Sequence, residues 1–256
     1  MNIKVVLEYD GTGFAGWQQQ SRARTVEAEL KAALHAISGV GHTVYAAGRT
    51  DAGAHALGQV VNFQFRGRLG VNRLAAALNA TLPEDVAVVS CQEVDDEFHA
   101  RYSATWRRYR YRYLDRPQRP AYERQYCWHV RGSLDVGAMS EAAAELVGKH
   151  DWSSYCSAGE AVATRLRMMR EVSVRRGERF VELDLEAEGF LRGLARGIAG
   201  ALAEVGMGRR PVSWPRQVLD ARDRSRAPRA APARGLTLMD ISYDRAAGAA
   251  AMKRIG

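Results

Sequence analysis

The residue with the clearest chemical promise is an acid set on a hinge. In "AAGRTDAGAHALGQVVNF", residues 46–63, Asp51 lies between Gly48 and Gly53, with Arg49 two residues before it and His55 four after. An Asp among glycines commonly makes an Asx turn, its carboxylate closing on nearby backbone N–H groups. The chemical alternative is a carboxylate kept ionised and aimed at a substrate. A guanidinium does both, by favouring the charged form and gripping it through two parallel hydrogen bonds. Arg49 and Arg196 are the candidates. His55 is a possible second acid or base, although no fixed spacing demands it.

Other stretches point to binding. In "RYSATWRRYRYRY", a period of two puts Tyr109, Tyr111 and Tyr113 on one face of a strand and Arg108, Arg110 and Arg112 on the other. Aromatic rings stack on bases and guanidinium groups grip phosphates. Burial of the Tyr face in a core is the competing reading, and it is preferred for at least two of the three. The segment 190–206 reads as a helix with an apolar stripe of Phe190, Leu194, Ile198, Leu202 and Val205. Gly193, Gly197 and Gly200 make a second stripe, and Arg192 and Arg196 lie roughly opposite the apolar one. Each helical glycine costs about 1 kcal/mol, so three imply a close neighbour. "GTGFAG" at 11–16 matches the dinucleotide-binding pattern GxGxxG. That reading needs a helix opening directly on it, and polar "WQQQSRART" follows instead. Its glycines are expected to let a turn pass close to another backbone or to RNA.

The elements that must hold these residues follow from periodicity. Strands are predicted at 3–9, 42–47, 59–65 and 86–94, with helices at 25–39 and 71–83. The order is βαββαβ, as in ferredoxin-like folds. It recurs with a strand at 105–114, a helix at 135–150, a hairpin of 169–176 and 179–188 around Gly177, the helix 190–206 and a strand at 236–243. The fold expected is α+β: two ferredoxin-like or RRM-like halves, 1–104 and 105–256, with mainly antiparallel sheets and a central cleft. Residues 208–234 read as an Arg/Pro/Ala insertion in the second half.

Composition narrows the partners. The 256 residues are 46% hydrophobic and 26% charged, and no apolar run approaches spanning length. The start "MNIKVVLEYDG" lacks the pattern of a signal peptide. Cys91, Cys127 and Cys156 are far apart, with no ligand spacing, so neither a disulfide framework nor a metal site is expected. A cytoplasmic location fits. The net charge of +8 is concentrated. Residues 101–131 hold nine Arg against two acids, and 209–234 hold eight Arg against two, leaving −5 for the rest. A preference for Arg over Lys, 33 to 4, follows from a GC-rich genome, but clustering does not. A nucleic-acid partner is expected.

Five stretches together resemble a known family, the A-class tRNA pseudouridine synthases. They are "EYDGTGFAGWQQQ" (8–20), "AGRTDAGAHALGQVVNF" (47–63), "FHARYSATWRRYRY" (98–111), "FLRGLARGIAGALAEVG" (190–206) and "APARGLTLMDISY" (231–243). The resemblance implies that Asp51 is the catalytic nucleophile. It further implies that Arg49 positions the RNA and opens the base stack, that Tyr109 lies against the target uridine, and that Arg196 pairs with the catalytic acid. RNA contacts are expected at Phe98, His99, Ala100, Arg101 and Tyr102, and at Arg107, Arg108 and Arg110. The implied substrate is the anticodon arm of tRNA, at uridines 38 to 40, read by a homodimer without cofactor or metal. Ala54 and the pair Leu194–Ala195 depart from the family pattern as packing changes. The segment 157–169 matches the family's RNA-contacting loop poorly.

The implied reaction breaks the N1–C1′ bond of uridine, turns the base, and joins C5 to C1′. Attack of Asp51 on C1′, addition to C6 and removal of a sugar proton all remain open. So does the group that takes the C5 proton, Tyr109 or water. Two competing classes are a non-catalytic RNA-binding protein with two RRM-like halves and a ferredoxin-like enzyme for a small anion. The first leaves Asp51 and Arg196 unexplained, and the second leaves the large basic surface unexplained.

Overall fold

In a computed structural model, residues 1–157, 163–227 and 229–244 are described. The divergent stretch Gly159–Glu160–Ala161–Val162 lies outside them. The described residues fall into two compact units, one of 1–105 with 238–244 and the other of 106–237. The fold is α+β with mostly antiparallel strand pairs.

In the first unit, alternation in β1 (Asn2–Tyr9) buries Ile3, Val5, Leu7 and Tyr9. Its antiparallel neighbours are β3 (His55–Gln64) and β4 (Val86–Val94). The strand expected at 42–47 shrinks to β2 (Tyr45–Ala46), paired with Asn62 and Val61 of β3. α1 (Val26–Ser38) buries Val26, Leu30, Ala33 and Leu34. It stops at Gly39, whose φ of 75° gives a left-handed cap with its N–H on His35 O. α2 (Val71–Thr81) buries Leu74 and Leu78 and packs on α1 and β4. The βαββαβ order expected of residues 1–104 is present here.

The second unit has the sheet order β5 (Trp106–Asp115), β9 (Val181–Ala187), β8 (Leu166–Arg176), β7 (Gly148–Asp151). A short β6 (Trp128–Val130) runs parallel to β5. The expected hairpin forms, with Gly177 N–H donating to Phe180 O at 2.8 Å. The helix expected over 135–150 ends six residues early. α3 (Val136–Ala144) is capped by Asp135, and Gly148, at φ 119°, opens β7 instead. The helix expected from 190 begins later, as α4 (Leu194–Gly206), with Gly193 as its left-handed N-cap. Phe190 and Arg192 therefore precede the helix and are not on its stripes. The Arg/Pro/Ala insertion is partly ordered: α5 (Trp214–Ala221) buries Val218 and Leu219. The last strand, β10 (Leu236–Ser242), lies beside β3, where Gly58 lacks a Cβ that would sit 2.5 Å from Met239 O.

Candidate active site

Asp51 sits on a turn between β2 and β3 and is half-buried. Two structural parts hold that turn. The first is the loop after β1, where a 3-10 turn occupies Gly11–Gly13 and no α-helix opens on "GTGFAG". This loop clasps the Asp51 turn through backbone bonds. Trp17 N–H donates to Thr50 O at 3.1 Å, and Gly53 N–H donates to Phe14 O at 3.2 Å. Within the turn, Ala54 N–H reaches back to Asp51 O at 3.0 Å. The approach is so close that a Cβ on Gly11 would lie 1.9 Å from Ala54 O. One on Gly16 would lie 2.7 Å from Thr50 O. The loop is itself pinned, since Arg24 stacks over Phe14 at 4.2 Å and forms a two-pronged bond with Asp85 at 2.7 and 2.8 Å.

The second part is a buried polar chain beneath the turn. Tyr9 Oη and Thr50 Oγ1 are 2.8 Å apart, and Gln59 Nε2 donates to Gly48 O at 2.9 Å. Burial pushes the Tyr9 hydroxyl up to about 12, against smaller opposing effects of Thr50 and Gln59. The hydroxyl is thus protonated across the neutral range. His55 is buried, and its Nδ1 lies 3.0 Å from Gly11 N and 3.1 Å from Asp10 Oδ1. Asp10 Oδ1 also takes the Thr12 amide and hydroxyl. The ring thus contacts the glycine loop at both Asp10 and Gly11.

The other expected site residues divide by surroundings. Arg49 is exposed beside the turn. Phe98, His99, Ala100, Arg101 and Tyr102 form one loop of the first unit. Ala100 is fully buried, its N–H on Asn62 Oδ1 at 2.8 Å and its carbonyl taking the Tyr243 hydroxyl at 2.8 Å. Phe98 packs on Tyr243, centroids 5.0 Å apart. Arg101 and Tyr102 are exposed.

In the second unit, Tyr109 is 5% exposed and meets Phe190 edge-on at 4.7 Å. Tyr111 and Tyr113 are fully buried, donating to Pro232 O and Ala199 O at 2.8 Å. The core reading preferred for at least two of these rings therefore holds. The Arg face of β5 is met by acids of β9. Arg110 grips Asp184 at 2.8 and 3.0 Å, Arg112 bonds Glu182 at 3.1 Å, and Arg108 stands 3.8 Å from Asp184. Arg107 donates to Glu188 O. On α4, Arg196 Nε donates to Ala231 O at 2.7 Å.

The residues that sequence reasoning missed are those of the clasp: Tyr9, Phe14, Trp17 and Gln59. The glycines at 11 and 16 were the available signal, and the close backbone they imply is the Asp51 turn. Among the described residues there is no group of three His, Cys, Asp or Glu placed to hold a metal ion. Cys91, Cys127 and Cys156 are not joined in disulfides.

The class is set by mostly antiparallel α+β units that present an acid on a clasped glycine turn. A family model described as tRNA pseudouridine synthase matches residues 5–103 and 142–244. Proteins named tRNA pseudouridine synthase A are similar throughout. That of Moorella thermoacetica is 43% identical over 243 residues, 94% of this chain and 99% of its own. Those of Shewanella amazonensis and a Thermoanaerobacter species are 40% and 38% identical, covering 97% and 94% of this chain and 95% and 99% of theirs. The chain belongs to the tRNA pseudouridine synthase family.

Proposed function

We propose that this chain isomerises uridine to pseudouridine in the anticodon arm of tRNA, at positions 38 to 40, with Asp51 as the catalytic carboxylate. The observation that carries the assignment is the clasp. A turn braced by two flanking backbone bonds and a buried Tyr9–Thr50 contact fixes a half-buried acid far more tightly than a surface Asx turn requires.

The chemistry asked of the site is an isomerisation. The N1–C1′ bond breaks and the C5–C1′ bond forms, while C5 loses a proton and N1 of the original numbering gains one. No electrons or groups are exchanged with a carrier, so no redox or carrier cofactor enters. Asp51 acts as nucleophile or base toward the sugar or C6. The target nucleotide leaves its stack at a cost of a few kcal/mol, and exposed Arg49 occupies the space it leaves. Tyr109 takes the face of the uracil, and its burial makes Phe190 the neighbour that must give way. Arg196 keeps the role toward the catalytic acid that the family resemblance implies. The RNA-facing part of 98–102 is His99, Arg101 and Tyr102, with partly buried Phe98 and buried Ala100 as its supports. Arg107 and Arg110 are held by protein acceptors and Arg108 stands 3.8 Å from Asp184, so phosphate contact falls more heavily on arginines outside β5. A cytoplasmic homodimer completes the reading. No helix among the described residues is long and apolar enough to cross a membrane.

Tritium release from tRNA carrying 5-tritiated uridine tests it. Wild-type protein releases tritium, and Asp51→Ala binds tRNA but releases none. Release by Asp51→Ala at the wild-type rate would overturn the catalytic assignment. Pseudouridine mapped only outside positions 38 to 40 would overturn the anticodon-arm assignment.

A further inference from the structure

Three aromatic rings from separate parts of the chain line up on the surface of the first unit. Tyr45 and His99 have centroids 4.7 Å apart at 43°, and His99 and Tyr102 have centroids 4.4 Å apart at 37°. Tyr45 is 44% exposed and Tyr102 is 77% exposed. Tyr45 lies in none of the five stretches that carry the family resemblance, so its place in the row is visible only in the fold.

The row is built around one residue that adjoins both of its sources, through its backbone on one side and its side chain on the other. Asn62 on β3 is the register partner of Tyr45 on β2. The same Asn62 accepts from Ala100 N–H at 2.8 Å and donates to Phe98 O at 3.2 Å. The 98–102 loop is therefore tied to the strand position that carries Tyr45. The His99 ring is held in turn: its Nδ1 accepts from the N–H groups of Arg101 and Tyr102 at 3.1 and 3.3 Å. The cost of ordering the His99 ring is thus met in the free protein, before any ligand arrives.

The surroundings select the occupant. The Arg101 guanidinium lies 5.7 Å from the Tyr102 centroid. Lys4, the other register neighbour of Asn62, sits over Phe98 and Tyr243 at 5.6 and 4.6 Å. Exposed π-faces flanked by cations suit an unpaired nucleobase with its phosphate.

We propose that Tyr45, His99 and Tyr102 form a stacking platform for an unpaired base of the bound tRNA, in addition to the target uridine. The proposal rests on the tRNA reading above, and its test uses binding so that it stands apart from catalysis. With unfractionated bacterial tRNA as probe, Tyr45→Ala and Tyr102→Ala should each weaken the Kd about tenfold. Tyr45→Phe, which keeps the ring, should stay within about twofold. The slope of log Kd against log salt should match wild type in Tyr45→Ala, because a ring removes no phosphate contact. Irradiation of the wild-type complex at 254 nm should leave a nucleotide adduct on Tyr45, His99 or Tyr102. Unchanged affinity in Tyr45→Ala, Tyr45→Phe as weak as Tyr45→Ala, or adducts confined to other residues would each overturn the platform. A protein that binds tRNA through the row yet releases no tritium keeps the platform and overturns the synthase reading instead.

Discussion

A methyl group on Gly16 would lie 2.7 Å from Thr50 O and 3.2 Å from Ala52 N, and φ at Gly16 is 97°. Both the backbone region and the space exclude a side chain. Gly16→Ala should lower stability by about 1–3 kcal/mol in urea denaturation. Its larger effect should be on turnover. Displacing the Asp51 turn by about 1 Å should cost on the order of 100-fold in single-turnover tritium release. A stable, fully active Gly16→Ala would show that the clasp does not place the acid. Tyr9 offers a second handle. Its folded-state value, about 12, is above its ordinary value of 10.0 because burial disfavours the phenolate. Its contribution to stability is thus complete below pH 10 and is lost as pH rises toward about 12. Tyr9→Phe removes the Thr50 bond, at about 1 kcal/mol at neutral pH. It should also flatten the alkaline decline in urea stability over that window. An unchanged alkaline decline would locate the sensitivity in the other buried tyrosines. The role of Asp51 was suggested by the sequence, whereas Tyr9 and Gln59 look there like ordinary strand residues. Their hydroxyl and amide matter only because β1 and β3 pair and bring them under Gly48 and Thr50.

Elements show the same limit in α4. Glycines at 197 and 200 correctly signal close packing, yet nothing local says against what. The partners are Tyr155, whose carbonyl would be 2.9 Å from a Cβ on Gly197, and Arg229, whose carbonyl would be 2.4 Å from one on Gly200. Both belong to other segments of the second unit, and Ala231 N–H also bonds Arg196 O at 2.9 Å. Gly200→Ala improves helix propensity by about 1 kcal/mol but forces the 229–231 segment away. The net effect should be a loss of about 1–3 kcal/mol in denaturant unfolding. A stabilised Gly200→Ala would mean that the segment yields freely. Because Arg196 Nε is bonded to Ala231 O, the same variant should also reduce turnover. Helix ends were less legible than helix faces. The apolar period of 135–150 runs on through Leu146 and Val147, but both lie beyond α3. Gly148, with φ 119°, turns the chain into β7, a change that periodicity alone does not record.

At the scale of the whole molecule the question is which positive charges remain for RNA. A window over 101–131 counts nine Arg, yet Arg108, Arg110 and Arg112 on β5 face Glu182 and Asp184, some seventy residues later in the chain. Arg175 and Arg170 from β8 join this network through Glu182 and Glu186. A sequence window cannot see it, because strand pairing, not proximity in the chain, brings β5, β8 and β9 together. The net charge is still +8, and on the proposed reading phosphate contact falls to exposed arginines outside that sheet, such as Arg49 and Arg101. Each phosphate neutralised releases counterions, and log K falls with log salt by about 0.7 to 0.9 per contact. With four or more such contacts, tRNA affinity should weaken about 100-fold or more between 50 and 200 mM salt. Arg101→Ala should reduce the measured slope by about one contact, whereas Arg112→Ala, which breaks a pair with Glu182, should leave it unchanged. Filter binding across a salt series reads both. A slope that drops equally in the two variants would mean that the β5 arginines leave their acids to hold RNA, and the network would then be a reserve of phosphate contacts rather than a neutralised face.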